Sequence, residues 1–299
     1  MERPDVAAVS ADLRGLEQAK RLAEKLWYAR SRQPALDLPI PFRLPYGGWF
    51  LAHGDAIGAR VAGYRFQRSP YEEGQWRLVA RRLQPGGTFV DVGANQGFYT
   101  ILASKRVGPS GIVYAFEPAP TEVRKLRANL RINRCRNVVV EEMALGAAPG
   151  KAEFFMYLRH QGSWSGLRKG ADDVEVAARV IEVAITSLDE YFADPPLKRL
   201  DIMKVDVEGG ELHVLKGAAR TIQSMRPIVL CEVESRRTGQ WGYDASAIIN
   251  ELEAMDYRWC TVARDGRLNG PAAHTDGWQN LAAIPEEKLA DLAVGESGG

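Results

Sequence analysis

The stretch Phe89-Val90-Asp91-Val92-Gly93-Ala94-Asn95-Gln96-Gly97 runs from a short apolar strand into a glycine-bearing turn, and a helical pattern follows from Gly97 to Val107. This strand, turn and helix decide the fold. Glycine is needed where a backbone turns tightly or lets a ligand come close. The first turn of the helix beyond offers N–H groups with no partner inside the helix. In a dinucleotide-binding unit a pyrophosphate would sit there. Two features argue against that occupant. Asp91 lies just before the first glycine, where its charge repels a pyrophosphate but attracts an ammonium or a sulfonium. The middle glycine of the dinucleotide fingerprint is also missing, with Asn95 in its region.

Outward from this unit, strands and helices alternate, the pattern of a parallel sheet. Strands are expected at 112–116, 138–142, 200–205 and 227–233, with closing strands at 258–263 and 280–284. Helices are expected at Thr121 to Asn133, with Thr121 as N-cap, at Glu211 to Ser224, and at Asp244 to Met255 capped by Asp244. The stretch Lys151 to Leu188 is less regular and contains a hairpin and a loop around Arg159 to Gly166. Before the unit, residues 12–31 pattern as an amphipathic helix. Pro34, Pro39, Pro41 and Pro45 then exclude a helix. Small antiparallel strands or a loop-rich lid follow from Phe42 to Phe66, and a helix from Tyr71 to Leu83. The expected organisation is a helical and β cap over 1–85, an α/β domain over 86–292 and a tail over 293–299.

Glu117 ends the strand Tyr114-Ala115-Phe116. An acid at the tip of the second strand can accept both hydroxyls of a ribose. The glycine turn, the preceding acid and this second acid together point to an adenosine-containing cofactor.

The residues also carry a resemblance. Phe-Val-Asp-Val-Gly-Ala-Asn-Gln-Gly-Phe-Tyr-Thr (89–100), Phe-Glu-Pro (116–118), Ser-Leu-Asp (187–189) and Lys-Val-Asp-Val-Glu-Gly-Gly-Glu (204–211) resemble the FkbM family of class I methyltransferases, and Val214-Leu215-Lys216-Gly217-Ala218 continues the match. The resemblance runs from about Tyr71 to about Glu234 and leaves 1–44 uncovered. It implies a Rossmann-like α/β fold with a mostly parallel seven-stranded sheet, S-adenosyl-L-methionine as donor, and O-methylation of sugars or natural products. The candidate donor contacts are Asp91, Gly93, Asn95, Gly97, Tyr99, Glu117, Met143 and Asp206.

The acceptor side is expected beyond the carboxyl ends of the fourth and fifth strands. Residues 204, 206 and 208 share one face if that strand stays extended. Acids at the end of a buried parallel strand are costly unless paired or facing a cleft. Asp206, Glu208 and Glu232 are therefore expected to line the cleft, and Asp206 or Glu208 to serve as general base, with His160 as a further candidate. A competing reading makes Lys204 and an acid a structural ion pair. Four carboxylates near two strand tips are enough to hold a divalent cation, but no separable ligand motif accompanies them and no metal is assigned. Asp194-Pro195-Pro196-Leu197 precedes its strand and lacks an aromatic residue for stacking a base, so it is expected to be a turn.

Composition sets the remaining bounds. With 39 Lys and Arg against 38 Asp and Glu over 299 residues, there is no basic footprint for nucleic acid. Three cysteines without a Cys-x-x-Cys pair fit free thiols. No apolar run approaches the length of a membrane helix, and the first residues lack an apolar signal core, so a cytoplasmic protein is expected. A small-molecule, sugar or lipid-linked acceptor is the expected partner. A nicotinamide-dependent oxidoreductase and a non-catalytic module on the same fold are the alternatives. Asp91 and the missing glycine weigh against the first, and the acids at 206, 208 and 232 against the second.

Overall fold

The computed structural model describes residues 39–53, 55, 57, 58, 61, 72–157, 165–168, 178–272 and 278–294. The expected helix at 12–31, His160 and the tail beyond 294 lie outside them.

The chain opens with a hairpin, β1 (Ile40–Arg43) and β2 (Trp49–Ala52), and the helix α1 (Glu73–Arg82). Then come β3 (Thr88–Val92), α2 (Phe98–Val107), β4 (Ile112–Phe116), α3 (Pro120–Ile132) and β5 (Val138–Glu141). A side sheet follows from β6 (Ala144–Leu145), β7 (Gly150–Tyr157) and β8 (Ala178–Thr186), then α4 (Leu188–Tyr191) and β9 (Ile202–Val205). The last part holds α5 (Glu211–Gly217), α6 (Ala219–Met225), β10 (Ile228–Glu234), α7 (Ser235–Gln240), α8 (Ser246–Glu253), β11 (Tyr257–Val262), β12 (Leu268–Pro271), β13 (Trp278–Pro285) and α9 (Glu286–Val294).

The main sheet has the order β12-β11-β13-β10-β9-β3-β4-β5. Strands β10, β9, β3, β4 and β5 are parallel, and β13 runs antiparallel between β10 and β11. This is a Rossmann-like α/β fold. Seven of the strands make the expected sheet, and β12 adds an eighth at the edge. The addition comes from the turn at Arg264-Asp265-Gly266, where Gly266 takes φ +86° and donates to the Ala263 carbonyl at 2.8 Å. The chain thereby folds back on β11.

Parallel strands buried on both faces must be nearly all apolar. Beyond Thr88 at its start, β3 and β9 obey this except at Asp91 and Lys204, which are register partners on adjacent strands. One sheet face, with the side chains of Phe89 and Ile202, is covered by the hairpin, α1, α2 and α3. The other, with Val90, Met203 and Val205, is covered by α4, α5, α6 and α8. The hairpin shares the first core through Phe42, Leu44 and Phe50. It is also fastened by two asparagines one turn apart, Asn129 on α3 and Asn133 at its C-cap. Asn129 accepts the Leu51 N–H at 2.7 Å and donates to the Gln96 carbonyl at 2.9 Å. Asn133 accepts the Trp49 N–H at 2.8 Å and donates back to its carbonyl at 2.6 Å. Two amide side chains thus stand in for a third strand beside β2.

Several local expectations change. Helix α3 starts one residue earlier than Thr121, with Ala119 as N-cap and Pro120 at the first helical position, where its missing N–H costs nothing. The single helix expected over 211–224 breaks at Ala218 into α5 and α6. Gly217 is pressed so closely on the Gly146 carbonyl that a Cβ would lie 2.0 Å from its oxygen. The new helix is capped by Asp189, whose carboxylate accepts the N–H groups of Arg220 and Thr221 at 2.9 and 2.8 Å. The N-cap of α8 is Ala245 in place of Asp244, which lies one residue earlier and accepts the Ser246 N–H at 2.8 Å. Residues 192–196 form turns. Among the described residues no helix is long and apolar enough to cross a membrane.

Candidate active site

The carboxyl ends of β3, β4 and β9 bring most of the candidate residues together. After Val92 the chain leaves β3 in a turn with Gly93 at φ +79°, Asn95 at φ +49° and Gly97 at φ +89°. A Cβ on Gly93 would stand 1.9 Å from the Asp206 carbonyl oxygen. Gly93 is therefore required first by the chain itself, where the tips of β3 and β9 meet. A Cβ on Gly97 would meet Leu126 at 2.4 Å, so this glycine seats α2 against α3.

Glu117 lies at the tip of β4 and is 5% exposed. One carboxylate oxygen accepts the Asn95 N–H at 2.8 Å and the other accepts the Ala119 N–H at 2.8 Å. Burial pushes its pKa up to about 8 against the pull of those amides. Met143, two residues past β5, packs on the apolar cluster that includes Phe116 and Leu145.

Asp91 is buried and accepts a 2.6 Å hydrogen bond from the Thr100 hydroxyl. Burial pushes it up to about 6, opposed by Lys204 and Thr100. The Lys204 ammonium is 2.7 Å from an Asp206 oxygen and 4.8 Å from the centre of the Tyr99 ring. Burial works against its charge, but Asp206, Glu72 and Asp91 hold its pKa above the ordinary value. Three carboxylates around one ammonium leave an excess of negative charge beside the Gly93 turn. Tyr99 is buried, and its hydroxyl donates to Gln75 at 3.4 Å.

The expected common face of 204, 206 and 208 does not form. β9 ends at Val205, and Glu208 takes a left-handed conformation with φ +60°. The following Gly209 and Gly210 make room for Trp241, which a Cβ on either would meet at 3.0 Å. Glu208 is thereby turned to Arg237, 2.5 Å away, and Arg237 also binds Glu234 at 2.9 Å. Burial lifts Glu208 above the ordinary carboxylate range although Arg237 opposes the shift. Glu232 is half-buried on β10 opposite Asn280. Lys204 and Asp206 form the ion pair of the competing reading, with Asp206 half-buried just past the end of β9. Among the described residues no group of three or more His, Cys, Asp or Glu side chains could hold a metal ion.

Sequence reasoning missed three supports. Glu211 is buried and accepts the N–H groups of Val207 and Gly209 at 3.0 and 3.1 Å, which fixes the loop carrying Asp206 and Glu208. Its signal was an acid just after a Gly-Gly pair at a helix start. Thr100 holds Asp91, one turn into the helix after the glycine turn. Asp55 accepts from Gln96 and Lys125 at 2.7 Å each and ties the cap to the turn. No local pattern marks it.

The sheet order, the glycine turn and the acid at the second strand tip define a class I methyltransferase fold. Residues 91–259 match the Methyltransferase FkbM domain, more than half of the chain, and the chain belongs to that family. "Methyltransferase 1" of Beauveria bassiana is 29% identical over 142 residues, covering 43% of this chain and 57% of the relative. "31-O-demethyl-FK506 methyltransferase FkbM" of Streptomyces tacrolimicus is 30% identical, covering 60% and 76%. "Hexuronic acid methyltransferase AglP" of Haloferax volcanii is 26% identical, covering 52% and 59%. The chain thus spans less than two thirds of the first and third of these relatives.

Proposed function

We propose that this chain transfers a methyl group from S-adenosyl-L-methionine to a hydroxyl oxygen of a sugar, glycolipid or natural product. The observation that carries the reading is the junction of Glu117 with the glycine turn. Each Glu117 oxygen accepts one backbone amide, and a carboxylate oxygen has room for a second donor. Two ribose hydroxyls can be received without breaking either link. The acid-rich surroundings of Lys204 suit the ammonium and sulfonium charges at the other end of the donor.

When bound, the donor supplies an electrophilic methyl carbon on a cationic sulfur. The chain's own task is to hold an acceptor oxygen in line with it. Such positioning supplies roughly 7–11 kcal/mol of the barrier. Asp206 stands at the tip of β9 against the Gly93 turn, with one oxygen held by Lys204. In this reading its carboxylate would orient the acceptor hydroxyl and take its proton as the carbon–oxygen bond forms and the carbon–sulfur bond breaks, the sulfur leaving as a neutral thioether. Glu208, Glu232 and His160 are the remaining acid–base candidates. The Streptomyces and Haloferax relatives, named for 31-O-demethyl-FK506 and hexuronic acid, support a small hydroxylated acceptor. The near-zero net charge supports a partner other than nucleic acid.

The test is a transfer assay with methyl-labelled donor against panels of glycosides, glycolipids and polyketide alcohols. Label in an alkali-stable methyl ether is the expected product. Label only in amines or thiols would overturn the choice of oxygen.

A further inference from the structure

The N-terminal cap carries a polar pair that neither the glycine turn nor the acids at 206, 208 and 232 account for. Helix α1 ends at Arg82 and β3 begins at Thr88, so the helix descends one sheet face and its first turn stands near the carboxyl ends of the strands. Two side chains project from that turn. Gln75 is 3% exposed, and its Nε2 has no hydrogen-bond partner among the described residues. Glu72 adopts a left-handed conformation, φ +44° and ψ +35°, as N-cap of α1. Its Oε2 is also buried without a hydrogen-bond partner among the described residues. Buried polar atoms of this kind are uncommon and call for an explanation.

Their surroundings supply one. Gln75 Oε1 accepts from Tyr99, the Tyr99 ring covers Lys204, and Lys204 pairs with Asp206. Glu72 lies within electrostatic reach of Lys204 and Asp91. The turn is also held in place. A Cβ on Gly74 would lie 2.6 Å from the Ala263 carbonyl oxygen, and Glu73 binds Arg77 and Arg264 at 2.7 and 2.6 Å. An unmet donor and an unmet acceptor thus stand three residues apart at the start of α1, linked through Tyr99 and by electrostatics to Lys204 and Asp91 on β9 and β3. Glu117 marks the ribose end at β4 on the far side of β3.

We propose that Glu72 and Gln75 hold the amino-acid end of the donor, with the Glu72 carboxylate on its α-ammonium and the Gln75 amide N–H on its α-carboxylate. This rests on the reading of the donor as S-adenosyl-L-methionine. It makes the start of α1 part of the donor site.

The experiment compares two ligands by calorimetry on the full chain. S-Adenosylhomocysteine has the amino-acid end, and 5′-methylthioadenosine lacks it. E72Q and Q75L should each weaken S-adenosylhomocysteine binding roughly tenfold or more, the loss of one charge-assisted hydrogen bond. Binding of 5′-methylthioadenosine should stay within about twofold of wild type, well below that tenfold step. Unchanged S-adenosylhomocysteine affinity in both variants would overturn the proposal, as would an equal loss for both ligands. If Q75L fails to fold, E72Q, at a half-buried position, decides alone. Wild-type protein that binds neither ligand would instead remove the donor reading itself.

Discussion

The Asn95 N–H donates to the Glu117 carboxylate at 2.8 Å, so the glycine turn after β3 and the acid at the tip of β4 are one connected structure. Glu117 also anchors Ala119, the N-cap of α3. Replacing it by alanine therefore removes more than a ligand contact. Two buried amides lose their acceptor, and the protein without ligand should melt at a lower temperature. Affinity for S-adenosylhomocysteine should fall by about 1–3 kcal/mol. Scanning calorimetry and titration on the same sample check both effects. Lost affinity with an unchanged melting temperature would show that Glu117 is not needed for the turn.

Gly93 makes a sharper structural prediction. Its φ of +79° and the Asp206 carbonyl 1.9 Å from a would-be Cβ leave no room for alanine. Gly93→Ala should push β3 and β9 apart at their tips, in addition to about 1–2 kcal/mol of left-handed backbone strain. Donor binding and thermal stability should fall together. A variant that melts like wild type but no longer binds donor would show that Gly93 serves the ligand and not the chain.

Asp206 and Lys204 separate binding from chemistry. Asp206→Asn keeps the shape and removes the charge. Turnover should fall roughly 10²–10⁴-fold, the contribution of a general base, while donor affinity changes little. Lys204→Met should be worse for the fold, because Asp91 and Asp206 then lose the ammonium that balances them. Single-turnover rates and titration on each variant check this. Normal turnover by Asp206→Asn would move the base to Glu208, Glu232 or His160.

The buried acids predict a pH profile. Asp91 is raised from 3.8 to about 6, Glu211 from 4.5 to about 7 and Glu117 from 4.5 to about 8, each mainly by burial. The folded state therefore holds protons that the unfolded chain has already released. This contribution to stability is fully present below the ordinary carboxylate values and is lost as pH rises through about 6 to 8. The ligand-free protein should melt at progressively lower temperature from pH 5.5 to about 8.5, at constant ionic strength. A melting temperature that rises over that range would contradict the shifts.

What the sequence disclosed follows from how local each signal is. The Asp91-to-Gly97 turn and Glu117 are legible because glycine punctuation and strand-ending acids act over a few residues. The cross-strand partnership of Asp91 with Lys204 was not, since it depends on β9 lying beside β3. The fate of Glu208 was missed for a smaller reason. An extended strand was continued through Asp206, whereas Gly209-Gly210 already marked a bend. The docking of β2 on Asn129 and Asn133 exchanges side-chain amides for a strand edge, and no periodicity records that.

In the proposed function the turn and Glu117 form the cradle of S-adenosyl-L-methionine. Titrating the full chain with S-adenosylhomocysteine, and separately with NADH, tests it most directly. Saturable binding of S-adenosylhomocysteine in the micromolar range, abolished or strongly weakened by Glu117→Ala, with no heat from NADH, is the predicted result. Tight NADH binding with no response to S-adenosylhomocysteine would contradict it.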